Sequence, residues 1–270
     1  MHLIDANGGK VRHTVLSETH HNNHTILEIS KEEDCQIFDG SGTDHGYHQY
    51  GNDWWTNLQC PYAFKYLSID SMYPDRYFGD GIGHPDYKTG SEIYTYMRET
   101  YSALFGRNFD KVLELGTGGG EITVHFAENR NDYLAVEGTE SGVNKLLSLP
   151  GIDPARVKQF NLKFMPNLGE KFDLVMCTEV AEHIEPFFAS KIVENCVVHS
   201  DVVWFSAADR NRPAHYHHIN ELPAEAWDNL FAHMGHTFIV QLNGMHDRAS
   251  RLYMSEELGK CLPSLVLNPR

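Results

Sequence analysis

The feature that most constrains this chain is the run Val112-Leu113-Glu114-Leu115-Gly116-Thr117-Gly118-Gly119-Gly120-Glu121, followed by Ile122-Thr123-Val124. An apolar strand runs into a glycine-rich turn and then into a helix. Glycines there remove Cβ atoms where backbone must turn sharply and approach a ligand, and the N–H groups at the start of the helix face an electronegative group. The spacing narrows the ligand. A dinucleotide fingerprint counted from Gly116 would need glycine where Glu121 stands, and a phosphate loop would need G-K-[ST], which is missing. Pyrophosphate binding, and with it a nicotinamide oxidoreductase, is disfavoured.

Around this turn the chain alternates. Strands are expected at 111–115, 132–137, 157–161, 172–177, 201–206, 236–241 and 250–254, with helices at 91–105, 120–129, 140–148, 187–197 and 223–234. This alternation predicts an α/β fold: a doubly wound, mostly parallel seven-stranded sheet with helices on both faces. Residues 1–90 differ, being rich in His, Tyr, Asp, Asn and Gly, with strand-like runs such as His24 to Ile29. They are expected to form an N-terminal elaboration, an arm or lid packed on the 91–270 domain, because no Pro/Gly/Ser linker separates the two. Its aromatics, including Trp54 and Trp55, read as packing residues, and the segment Arg76-Tyr77-Phe78-Gly79-Asp80 as a lid or acceptor wall.

The segment Glu114 to Gly120 fits E-x-G-x-G-x-G, and here the chain resembles the class I S-adenosylmethionine-dependent methyltransferases over about 91–255. The resemblance implies that Glu114, Gly116, Thr117, Gly118 and Gly120 hold the methionine end of the cofactor. Strand Tyr133-Leu134-Ala135-Val136 ends in Glu137, which the family uses for the ribose hydroxyls; each carboxylate oxygen can accept one O–H. Asn161 stands where the family often has an Asp near adenine. Lys171-Phe172-Asp173-Leu174-Val175-Met176-Cys177-Thr178-Glu179-Val180-Ala181-Glu182-His183-Ile184 resembles the family's fourth strand and its following turn, which brings Thr178 to the cofactor side.

For the acceptor, a helical Glu179-Val180-Ala181-Glu182-His183 would put Glu179, Glu182 and His183 on one face, beyond the carboxyl end of the fourth strand, where open α/β sheets bind ligands. Downstream, His218-Ile219-Asn220-Glu221 resembles the H-x-N-E turn of sugar and small-molecule methyltransferases. Two mechanisms stay open. His183 or His218 is a general base for an acceptor hydroxyl; or Glu179, Glu182, His183 and His218 hold a divalent ion, an arrangement that resembles small-RNA 3′-end 2′-O-methyltransferases. The metal-free reading is preferred. A non-catalytic nucleoside-binding module is the remaining alternative.

Charge bears on the acceptor. With 22 Lys and Arg against 37 Asp and Glu, the net charge of −15 repels phosphate backbones, so a small-molecule acceptor is expected and nucleic acid is not. Polar residues from Met1 to Arg12, and the lack of any membrane-length apolar run, lead to the expectation of a cytoplasmic protein with no membrane association. The five cysteines are scattered and never form C-x-x-C, so they read as reduced thiols. The clustered His20, His21 and His24 carry no metal-site spacing beyond being neighbours.

Overall fold

The computed structural model describes strand residues 13–21, 24–31, 53–54 and 63–67, and residues 89–208, 218, 220–242 and 250–262. Trp55, the Arg76 to Asp80 segment, His45, His48, His215 and His217 lie outside the described residues. Contacts divide the chain into two compact units, one of Met1–Pro74 with Pro213–Ile219, the other of Asp75–Arg212 with Asn220–Arg270.

The first unit holds a four-stranded sheet of order β1-β2-β4-β3, made of β1 (His13–His21), β2 (His24–Lys31), β3 (Asp53–Trp54) and β4 (Ala63–Leu67). β1 and β2 are antiparallel, with His20 opposite Thr25 and His21 opposite His24, so these histidines stand at the closed end of a hairpin. β2 and β4 run parallel.

The second unit contains α1 (Gly90–Phe105), β5 (Lys111–Leu115), α2 (Thr123–Glu128), β6 (Asp132–Glu137), α3 (Glu140–Leu147), β7 (Val157–Gln159), β8 (Leu174–Thr178), α4 (Ala189–Val197), β9 (Val202–Ser206), α5 (Ala224–His233), β10 (Phe238–Gln241), β11 (Arg251–Met254) and α6 (Glu256–Lys260). Its seven strands are ordered β10-β11-β9-β8-β5-β6-β7. The five from β9 to β7 are parallel, and β11 and β10 complete the sheet antiparallel. This is the mostly parallel seven-stranded sheet expected from the alternation. Connections leave in opposite directions from β5 and β8, so the crevice at their carboxyl ends is the switch point of the sheet.

Period-two alternation makes two apolar layers. Leu113, Val175, Val203 and Phe205 face Ile192, Val193 and Cys196 of α4 and Trp227 and Phe231 of α5. Val112, Leu174, Met176 and Trp204 face the opposite layer, with Met97 and Tyr101 of α1, Phe126 of α2 and Leu146 of α3. Helix α1 starts with a capping box in which Thr89 and Glu92 satisfy each other's backbone N–H, and it ends at left-handed Gly106.

Two local expectations are corrected, and one short helix, α6, was not expected. The helix expected from residue 120 starts at Thr123, because Gly120 has φ +81 and cannot be in a right-handed turn. The short helix α6 has a Ser255 cap but too few residues to show a periodic stripe. The stretch after β8 is a single 3-10 turn, Ala181–His183, preceded by Glu179 in the left-handed region at φ +56. Glu179, Glu182 and His183 therefore do not share one face of an α-helix.

Candidate active site

The site lies at the carboxyl ends of β5, β6 and β8, where the first acid is Glu114. It is buried, and its Oε2 accepts Thr123 Oγ at 2.6 Å from the start of α2. Burial, opposed by the Thr123 hydrogen bond and reinforced by the charge of Glu137, pushes the Glu114 carboxyl up to about 8. Among the described residues no cation is a partner of Glu114, so a bound cationic group would relieve a real cost.

The turn that follows is closed by Gly116 N–H donating to Val136 O at 2.8 Å and Gly120 N–H to Thr117 O at 2.9 Å. Gly116 has φ +77, and a Cβ there would come within 2.5 Å of Val180 Cγ2. Gly118 has φ +54, yet a Cβ on it or on Gly119 would meet nothing within 4 Å among the described residues. Gly116 is needed to let the turn after β8 close down, whereas Gly118 and Gly119 front open space.

Glu137, at the end of β6, organises that space. Its Oε1 accepts Gly138 N at 2.9 Å and both Thr139 N and Thr139 Oγ at 3.0 Å. Among the described residues its Oε2 holds only long contacts, Gly118 N at 3.2 Å and Thr117 Oγ at 3.5 Å. Oε1 is saturated and Oε2 retains capacity to accept. Burial raises the Glu137 pKa against these hydrogen bonds. Thr139 in turn caps α3 through Gly142 N at 3.0 Å, and a Cβ on Gly142 would press to 2.7 Å on both Glu137 Cγ and Thr139 Oγ.

Beside it, Phe160 N–H donates to Glu137 O at 3.0 Å and opens the loop that carries Asn161. Asn161 is half-buried, with its Oδ1 taken by Lys163 N at 3.0 Å in a side-chain turn. Thr178, half-buried, ends β8 opposite Ser206 of β9.

The acid pair comes next. Glu179 N–H donates to Ser206 O at 2.9 Å, and Ser206 Oγ returns a hydrogen bond to Glu179 Oε1 at 2.7 Å. Glu182 is fully buried; its Oε1 accepts Ala208 N at 3.2 Å, and its Oε2 meets no donor among the described residues unless it shares a proton with neighbouring Glu179. Burial first, and the Glu179 carboxyl second, raise the Glu182 pKa well above the ordinary carboxylate range. Two neighbouring carboxyls of this kind oppose each other's ionisation. His183 is half-buried, with a ring nitrogen within 4.8 Å of a Glu182 carboxylate oxygen. His218 is buried and belongs to the segment that clusters with the first unit. Two residues on, Asn220 is fastened to the acid turn: its N–H donates to Glu182 O at 3.0 Å and its Nδ2 to Ala181 O at 3.2 Å.

The structure thus brings Glu114, Gly116, Thr117, Gly118, Gly120 and Glu137 to one edge, with Asn161 and Thr178 flanking and Glu179, Glu182 and His183 beyond β8. Sequence reading missed Thr123, Thr139 and Ser206, which orient Glu114, Glu137 and Glu179. Thr123 and Thr139 could have been found as hydroxyl residues beginning helices next to the acids. Ser206 has no local signal, because only the β8–β9 register brings it to Glu179.

A methyltransferase domain model matches residues 90–241, more than half of the chain. The ribosomal protein L11 methyltransferase of Prochlorococcus marinus (strain MIT 9301) is 29% identical over 167 residues, covering 56% of this chain and 48% of that protein. A tRNA (guanine-N(7)-)-methyltransferase of Burkholderia lata is 45% identical over 53 residues, 19% of this chain and 21% of that protein. The chain thus spans about half or less of the length of these relatives. Among solved structures, the sugar N-methyltransferase KedS8 from Streptoalloteichus sp ATCC 53650 matches with TM-score 0.53 and 14% identity over 64% of this chain and 90% of that one. An S-adenosylmethionine-dependent methyltransferase from Clostridium acetobutylicum ATCC 824 matches with TM-score 0.50 and 13% identity over 64% and 94%. At these identities the structural likeness concerns the fold. With the glycine turn, the two strand-end acids and the matched domain in one unit, this chain belongs to the class I S-adenosylmethionine-dependent methyltransferase family.

Proposed function

We propose that the protein transfers a methyl group from S-adenosylmethionine to an oxygen of a small polar acceptor such as a sugar. The cofactor supplies an electrophilic methyl on a sulfonium. The open space at Gly118 and Gly119, the uncompensated Glu114 and the spare capacity of Glu137 Oε2 support this cofactor. In this reading Glu114, Gly116, Thr117, Gly118 and Gly120 hold the methionine end, Glu137 the ribose, Asn161 the adenine side, and Thr178 closes the pocket floor.

The observation that carries the acceptor side is the buried Glu182, paired with Glu179, next to half-buried His183. A neutral imidazole there takes the acceptor hydroxyl proton as the oxygen attacks the methyl carbon. The adjoining carboxyls of Glu179 and Glu182 stabilise the imidazolium that results. His218 is the second candidate base, because it opens the H-x-N-E turn two residues before Asn220. Acidic composition favours a small neutral acceptor over RNA, although the relatives named above act by name on tRNA and on a ribosomal protein.

The test is transfer of labelled methyl from S-adenosylmethionine to panels of monosaccharides and polyols, of amines, and of short RNAs, each with chelator and with Mg²⁺ or Mn²⁺. The expected result is labelled sugar or polyol in the presence of chelator, reduced by about 10²-fold or more in His183→Ala or His218→Ala. Label confined to amines, or to RNA only with added metal, overturns the acceptor class. Cofactor binding with no transfer and no effect of either histidine leaves a nucleoside-binding module.

A further inference from the structure

Beneath the nucleoside-side loop lies an ion pair that the chemistry above does not use. Lys163 Nζ donates to Glu185 Oε1 at 3.0 Å, and both side chains are only 5% exposed. Lys163 is two residues from Asn161, and Glu185 is two residues from His183. The ammonium also lies 5.8 Å from the Phe188 ring centroid, and Phe188 packs edge-to-face on Phe164 at 5.7 Å. From the other side, Asn195 Nδ2 of α4 donates to Leu162 O at 2.7 Å. Inside the loop, Asn161 Oδ1 accepts Lys163 N at 3.0 Å and Phe164 N–H donates to Asn161 O at 2.9 Å.

Taking two charges out of water is costly, and replacing a buried pair by apolar residues of similar volume is often neutral or stabilising. Such a pair is poorly explained by stability. What it adds is direction: apolar side chains can slide past each other, whereas an N–H to carboxylate contact at 3.0 Å sets one register between the loop and the turn. We infer that Lys163 and Glu185 are positioning residues that hold the 161–164 loop in register with the turn carrying His183, so that cofactor affinity depends on them more than folding does. This rests on the reading of Asn161 as part of the cofactor site. Neither residue touches the cofactor in this account; both act through Asn161 and the loop backbone.

The experiment pairs urea denaturation with calorimetric titration of S-adenosylhomocysteine into the full chain, for wild type, Asn161→Ala, Lys163→Arg and the double variant Lys163→Met/Glu185→Leu. The single Lys163→Met strands a buried carboxylate and is expected to unfold easily, so the double variant carries the test. It should unfold at or above the wild-type midpoint yet bind S-adenosylhomocysteine about tenfold more weakly. Asn161→Ala should weaken binding, and Lys163→Arg, which keeps the charged donor, should stay within about threefold of wild type. Wild-type affinity in the double variant, with Asn161→Ala weakened, overturns the positioning role alone. Wild-type affinity in Asn161→Ala removes the loop from the cofactor site and takes this inference with it.

Discussion

Gly116→Ala and Gly118→Ala make a paired test of why the glycine turn has the residues it has. Both glycines are left-handed, at φ +77 and +54, so an alanine at either costs roughly 1–2 kcal/mol in backbone conformation. Among the described residues, only at Gly116 do neighbouring atoms also stand in the way. A Cβ there would be 2.5 Å from Val180 Cγ2 and 2.9 Å from Cγ1, well inside the ~3.5–4.0 Å of a relaxed carbon contact. Overpacking of that kind costs about 1–3 kcal/mol, so Gly116→Ala should lose about 2–5 kcal/mol against about 1–2 for Gly118→Ala. Urea unfolding without ligand measures both. S-adenosylhomocysteine affinity should invert the order: the Gly118 methyl enters the open space proposed for the cofactor, while a folded Gly116→Ala mainly disturbs Val180. Adding Val180→Ala to Gly116→Ala removes the clashing methyls and should recover part of the loss. Equal destabilisation at the two glycines, or a Val180→Ala effect that simply adds to Gly116→Ala, refutes the packing argument.

Other outcomes follow from the buried titratable groups. Burial raises the folded-state pKa of Glu114 from 4.5 to about 8, so its ionisation opposes folding. Its contribution is fully present below pH 4.5 and is lost as pH rises towards 8; Glu114→Gln should flatten that decline in ligand-free thermal midpoints and gain a few kcal/mol at pH 8. An identical pH dependence in Glu114→Gln would contradict the assignment. His199 works with the opposite sign. Its Nε2 accepts Leu168 N at 3.0 Å and its Nδ1 bonds Asn195 O at 2.6 Å, which together set the neutral ring with hydrogen on Nδ1. Burial lowers its pKa below 6.5, so its support of the 162–172 loop is present above pH 6.5 and is lost as pH falls. Stability of wild type relative to His199→Ala should therefore shrink between pH 7 and 5, and a constant difference across that range would count against this role.

Most of the sheet was legible because buried parallel strands are nearly continuous apolar runs. All seven strands of the second unit fall where the runs at 111–115, 132–137, 157–161, 172–177, 201–206, 236–241 and 250–254 place them, shorter by a few residues at most. The grouping of Glu114, the glycines and Glu137 at one edge was legible for a related reason: they occupy strand ends and one local turn. The geometry of the turn after β8 was not. Glu179 turns left-handed because β8 closes on Ser206 of β9 and Val180 fits over Gly116, contacts made by residues 27 and 64 positions away that leave no trace in the pattern of 178–184. Lys163 and Glu185 carry no local signal for the same reason, being separated by 22 residues and joined only by the fold.

The most direct measurement is calorimetric titration of S-adenosylhomocysteine into wild type and Glu137→Gln. The substitution keeps shape but replaces an acceptor oxygen by an NH₂ group among the donors of Gly138, Thr139 and Gly118. One ligand should bind per wild-type chain, and Glu137→Gln should bind at least about tenfold more weakly, as expected for loss of a hydrogen bond to a charged group. A wild-type protein that binds no S-adenosylhomocysteine, or a Glu137→Gln variant with unchanged affinity, would contradict the placement of the cofactor between the glycine turn and β6.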